Sequence, residues 1–69
     1  MEVGYKMNIV YEKLKALSNF IDTEINERKK SIDKKIKNKE FAHIELAAYA
    51  EAVGIKNAMK ELNLYIGED

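Results

Sequence analysis

Few residues in this chain could do chemistry. It has one histidine and no cysteine. The histidine stands in Glu40-Phe41-Ala42-His43. On a helix, Glu-x-x-His sets a carboxylate and an imidazole on one face, half of a carboxylate di-iron site. The other half needs inward carboxylates from neighbouring helices. The inward positions of the preceding segment are Leu and Ile, and their one polar break is a cation, Arg28. No metal and no cofactor are expected, and His43 reads as a half-exposed residue near a helix start. The absence of Cys removes disulfides, thiolate metal sites, thiol catalysis and CxxCH haem attachment. Ser18 and Ser31 read as isolated helix hydroxyls, and Asp22 and Glu24 as solvated carboxylates. No Gly-rich phosphate loop is present. With no nucleophile, base and oxyanion donor to name together, the chain is expected not to be an enzyme.

Charge offers more. The chain carries 12 basic and 12 acidic side chains, so it is formally neutral. The neutrality is uneven. Residues 28–39 hold Arg28, Lys29, Lys30, Lys34, Lys35, Lys37 and Lys39 against Asp33, a net +6. Residues 1–27 carry −2 and residues 40–69 carry −4. Lysine clusters attract polyanions. Yet no aromatic side chain is interleaved in 28–39, so this segment lacks a base-stacking platform. The alternative use is complementarity, with the basic segment of one copy lying beside the acidic ends of another. A second nucleic-acid reading rests on Ala50 and Gly54, spaced like the small residues of a helix-turn-helix. The pattern then decays, because Lys60 and Asn63 stand where that motif wants apolar residues.

These residues must be positioned by helices. There is no Pro, and the only glycines are Gly4, Gly54 and Gly67. Lys, Glu, Ile, Ala and Leu dominate, mostly good helix formers. A first helix is expected over about 6–37. Its apolar stripe is Val10, Leu14, Leu17, Ile21, Ile25, Ile32 and Ile36, in steps of three and four. Val10, Ile21 and Ile32 also repeat at eleven, which keeps a stripe on a nearly straight helix. Ile9, Ala16 and Phe20 widen it near the N-terminus. Lys37-Asn38-Lys39-Glu40 is the best turn, with Asn38 suited to end one helix or cap the next.

A second helix is expected over about 39–66, from the series Phe41, Ile44, Ala48, Ala52, Ile55, Met59, Leu62 and Ile66. The series keeps phase through Gly54, which argues for one unbroken helix. Ala47, Ala50, Gly54 and Ala58 form a small-residue strip, and Ala42, Leu46, Tyr49, Val53 and Leu64 a third strip. A helix apolar nearly all round is normally buried, and one hairpin partner covers only one side.

The expected fold is therefore all-α, a single antiparallel helical hairpin spanning 1–69 with residues 1–5 and 67–69 frayed. Two such hairpins would associate as a homodimeric four-helix bundle. The expected oligomer interface is Leu46, Ala47, Ala50, Val53, Gly54, Ile55, Ala58, Met59 and Leu62. No apolar run approaches the ~20 residues of a membrane span, and no signal peptide is evident, so a cytoplasmic location is expected. The functional expectation is a small non-enzymatic homo-oligomeric adaptor or regulator acting on an unidentified protein partner. Lys-, Ile- and Asn-rich usage suits a phage or mobile-element source. The alternative is a nucleic-acid-binding regulator using residues 28–39 or the Gly54 segment.

Overall fold

The computed structural model describes the backbone of residues 2–67 and the side chains of residues 9–67. Two helices pack against each other, and no strand occurs among the described residues. α1 is Glu2–Lys37 and α2 is His43–Glu61. The hairpin is a rod of 57 × 19 × 17 Å. No helix among the described residues is long and apolar enough to cross a membrane. Of the residues expected to fray, 2–5 lie within α1, and Met1, Glu68 and Asp69 lie outside the described residues.

Both helix ends differ from expectation at the second helix. α1 ends as the lysine-rich turn suggested, but the left-handed residue is Lys39 (φ 57°), not Asn38. The Lys39 N–H donates to Ile36 O (3.0 Å) and the Glu40 N–H to Lys35 O (2.8 Å), the paired bonds of a Schellman ending. The chain then needs residues 40–42 to turn, so α2 starts at His43 instead of near Lys39. At the far end α2 stops at Glu61, five residues early. The same device ends it: Asn63 is left-handed (φ 58°), and Leu64 N–H reaches back to Met59 O at 2.7 Å. Asn tolerates that conformation better than most residues. Between its ends α2 runs unbroken through Gly54, where a helix-turn-helix would need its turn.

The unequal helix lengths decide the core. At about 1.5 Å per residue α1 is roughly 54 Å long and α2 roughly 28 Å. α2 covers only the C-terminal half of α1, and the first half overhangs. Ile21 and Ile32 are buried, at 4% and 7% exposure. Val10, their partner in the eleven-residue repeat, is 54% exposed because α2 does not reach it. On α2 the inward residues are Ala52 and Met59. Ile44, Ile55 and Leu62, expected in the same stripe, turn to one flank and stay exposed.

The segment after α2 folds back onto α1. The Ile66 N–H donates to Ser18 Oγ (2.9 Å), and Ser18 Oγ donates to Leu14 O (2.7 Å). Ser18 is wholly buried, which corrects its reading as an isolated helix hydroxyl. Removing it would strand the Ile66 N–H. Ser18→Ala is expected to cost about 1–2 kcal/mol. Thermal melting would report the loss, with the Ile66 amide exchanging markedly faster.

Candidate interaction surfaces

Three arrangements of side chains stand out on the rod. The first is the break in the α1 stripe. Arg28 donates from Nη1 to Ala48 O (2.6 Å) and from Nη2 to Glu24 Oε1 (3.1 Å). Glu51 Oε1 lies 3.7 Å from the same guanidinium. The polar residue thus ties the two helices on one flank, and that tie marks the flank's register. Successive residues turn about 100° around a helix. On that basis Leu17, Phe20, Glu24, Arg28 and Ser31 share the α1 side of the flank. Ile44, Ala48, Glu51, Ile55, Ala58 and Leu62 share the α2 side, in steps of four, three, four, three and four. This is the spacing of a helix-pairing seam, and its large members are open: Leu17 48%, Phe20 59%, Ile44 80%, Ile55 46% and Leu62 67%. A depression of about 150 Å³ lies between the helices here, lined by Arg28, Ser31, Ile44, Glu45 and Ala48.

The second arrangement is on the opposite flank, at the open end of the hairpin. Lys56 Nζ lies 2.7 Å from Asp22 Oδ1, and the Tyr65 hydroxyl donates to Asp22 Oδ2. The ammonium groups of Lys56 and Lys60 sit 4.9 and 5.4 Å from the Tyr65 ring centre, a cation–π geometry. Burial alone would raise the Asp22 carboxyl, but hydrogen bonds from Lys56 and Tyr65 outweigh it and hold it below 3.8. The hydrogen bond to Asp22 raises Lys56 above 10.5, and the same partner raises Tyr65 above 10.0. The signs give a stability window. A depressed carboxyl stabilises above its unfolded value and loses that contribution as pH falls through its folded value. The raised amine and phenol stabilise below their unfolded values and lose it as pH rises through their folded ones. The cluster is expected to weaken below about pH 4 and above about pH 10. Asp22→Asn should flatten both slopes in a pH series of melting temperatures. Asp22 is thus not the freely solvated carboxylate expected. Ser18 and Asp22 stand one turn apart on α1, but no short-range spacing joins them to Lys56, which the packing of α2 brings in, or to Tyr65, which the fold-back after Asn63 brings in.

The third arrangement is the turn end. Lys35 Nζ lies 3.5 Å from Glu40 and 3.9 Å from Glu45. Lys30 pairs with Glu27 at 3.6 Å, and Arg28 is engaged as above. Among the described residues Lys29, Lys34, Lys37 and Lys39 have no ion-pair partner. The antiparallel return of α2 changes the charge map. Glu40 and Glu45, counted in sequence with the acidic tail, sit at the turn end. Residues 28–45 therefore carry seven cations and three anions, a net +4, and the remainder of the neutral chain carries −4. Phe41 is 87% exposed beside this cluster, its ring edge-on to His43 at 5.2 Å. Glu40 lies outside α2, so the Glu-x-x-His pair is not on one helix face. No group of three His, Cys, Asp or Glu residues that could hold a metal forms among the described residues.

The expected interface residues divide by position. Ile55, Ala58 and Leu62 are on the Arg28 flank. Leu46 and Val53 are on the other flank, and Ala47, Ala50 and Gly54 are on the exposed back of α2. Met59 belongs to the hairpin's own core with Ile21 and Ala52. Among the described residues, nothing beyond its chain neighbours and its own helix backbone would come within 4 Å of a Cβ at Gly54. Gly54→Ala is accordingly expected to stabilise the helix by about 1 kcal/mol. The check is a rise in melting temperature with the solution mass unchanged.

No protein-family model, curated protein or solved structure matches the chain.

Proposed function

We propose that this chain is a small non-enzymatic homo-oligomeric interaction protein, an adaptor or regulator built as a dimeric four-helix bundle. The observation that carries this reading is the surface. The hairpin exposes 5816 Å². A compact monomer of 8.0 kDa should expose only about 4,450 Å². The radius of gyration is 15.7 Å where a compact chain of this length has about 11 Å. The excess of about 1,350 Å² exceeds the ~800 Å² per partner of a standard interface. Exposed Leu17, Phe20, Ile44, Ile55 and Leu62 line up along one seam. Small monomers rarely leave such patches open, and a second hairpin covers them with the same packing geometry.

Folding and association would then be coupled, so stability depends on chain concentration. The melting temperature is expected to rise steadily across a hundredfold concentration series. A melting temperature independent of concentration over that range would count against the reading.

A further inference from the structure

We infer that two copies of this chain pair antiparallel through the Arg28 flank, with the dimer axis passing beside the Arg28–Glu51 tie. The inference rests on the homo-oligomer reading and adds the face, the direction and the register.

The register comes from levels along the rod. Arg28 with Ala48 and Glu51, and Asp22 with Lys56, fix which residues of α1 and α2 stand side by side. On the flank, Leu17 is level with Leu62, Phe20 with Ala58, Glu24 with Ile55, Arg28 with Glu51, Ser31 with Ala48 and Lys35 with Ile44. The flank thus has an apolar upper patch, an ionic middle and a lower patch centred on Ile44. Rotating a second copy end over end about the ionic middle sets each α1 along the partner's α1 and each α2 along the partner's α2, with Phe20 level with the partner's Lys35 and beside the depression next to Ile44. It also brings Ile55 opposite Ala48, and Leu17 with Leu62 toward the turn that carries Phe41. On the α2 side apolar residues meet apolar residues, and the Arg28 guanidiniums stay between their own carboxylates.

Charge decides the direction. The turn end is +4 and the rest of the chain −4. Antiparallel pairing lays each turn end along the acidic half of the other copy. Parallel pairing would bring two +4 ends together, and complementarity of this kind fixes orientation. Face choice follows from the polar cluster. The opposite flank is occupied at its open end by Asp22, Lys56, Lys60 and Tyr65, whereas the Arg28 flank exposes large apolar side chains in both halves. The arrangement leaves the α1 overhangs projecting from opposite ends of the dimer, with Val10 and Tyr11 exposed on each.

The chain has no cysteine, so single spin labels can be placed on Glu51→Cys and Asn38→Cys without background. Both side chains are exposed. Pulsed dipolar spectroscopy then measures the distance between copies. The axis position should give a separation under about 20 Å, and Asn38, ten residues from the axis, about 30 Å or more. Raising the salt concentration should weaken the dimer, because it screens attraction between unlike ends. Short distances at both positions would overturn the antiparallel direction while leaving the dimer. Long distances at both would overturn the Arg28 flank as the face. A folded chain of monomer mass with no intermolecular signal would overturn the dimer and this arrangement together.

Discussion

In the proposed dimer, Ile55→Glu should lower the mass in solution from twice the 8.0 kDa chain mass to that of a single chain. Ile55 is 46% exposed within one hairpin, so about half of its surface remains for a neighbour. Two-fold pairing buries that remainder twice, worth on the order of 2 kcal/mol in all. The glutamate removes both contributions and places a carboxylate beside the partner's apolar surface at each copy. Unpaired charge in such a place costs several kcal/mol. A combined loss above about 4 kcal/mol weakens association at least ~1,000-fold. Light scattering at fixed chain concentration would report the change. If the single hairpin proves too weak to hold its helices, Ile55→Ala keeps the effect measurable as a shifted concentration midpoint. A glutamate variant that keeps both the parental mass and fold would show that this position faces solvent in the assembly.

The second large effect lies inside the hairpin. Ile21→Ala should cost about 2–5 kcal/mol, the range for deleting a buried aliphatic side chain and leaving a cavity. Ile21 is 4% exposed and packs with Ala52 and Met59. A chain of this length is stable by only about 3–10 kcal/mol, so most of that margin would be lost. The expected drop in melting temperature is roughly 10 °C or more. Val10→Ala is the control. Val10 occupies the equivalent place in the eleven-residue repeat but is 54% exposed, and its truncation should cost under about 1 kcal/mol. Equal losses at the two positions would mean that the overhang is covered in solution by something the hairpin itself does not supply.

That pair also shows how much of the fold could be read in advance. The α1 stripe, the basic turn, the hairpin and the overhang of its longer helix follow from spacing and composition. Which stripe residues are buried does not, because it depends on where α2 begins and ends. Its end was signalled by Asn63, a residue suited to the left-handed conformation, but the phase of Ile66 in the apolar series masked that signal. Losing five residues from α2 freed Tyr65 and Ile66 to fold back, and with them Ser18 and Asp22 acquired partners. Those pairs link residues more than thirty apart, beyond any local pattern. The α2 series misassigned the inward face for a related reason. Steps of three and four describe a stripe, but two adjacent stripes share them. Ala52 and Met59 took the inward one, while Ile44, Ile55 and Leu62 took the flank. Arg28 was legible as a break, though not as the group that ties the helices together.

The uneven charge was visible in sequence as +6 against −2 and −4. Folding returns Glu40 and Glu45 to the turn end and moderates it to +4 against −4. The moderated pattern is the more useful one, since it sets a net-positive turn end against a net-negative remainder of the chain.

On the proposed dimer the exposed flank is covered by a second copy. Sedimentation equilibrium of the unmodified chain over a wide concentration range tests it most directly. The expected result is a folded, helical species of twice the 8.0 kDa chain mass that dissociates on dilution. A helical species of 8.0 kDa at every concentration would contradict it.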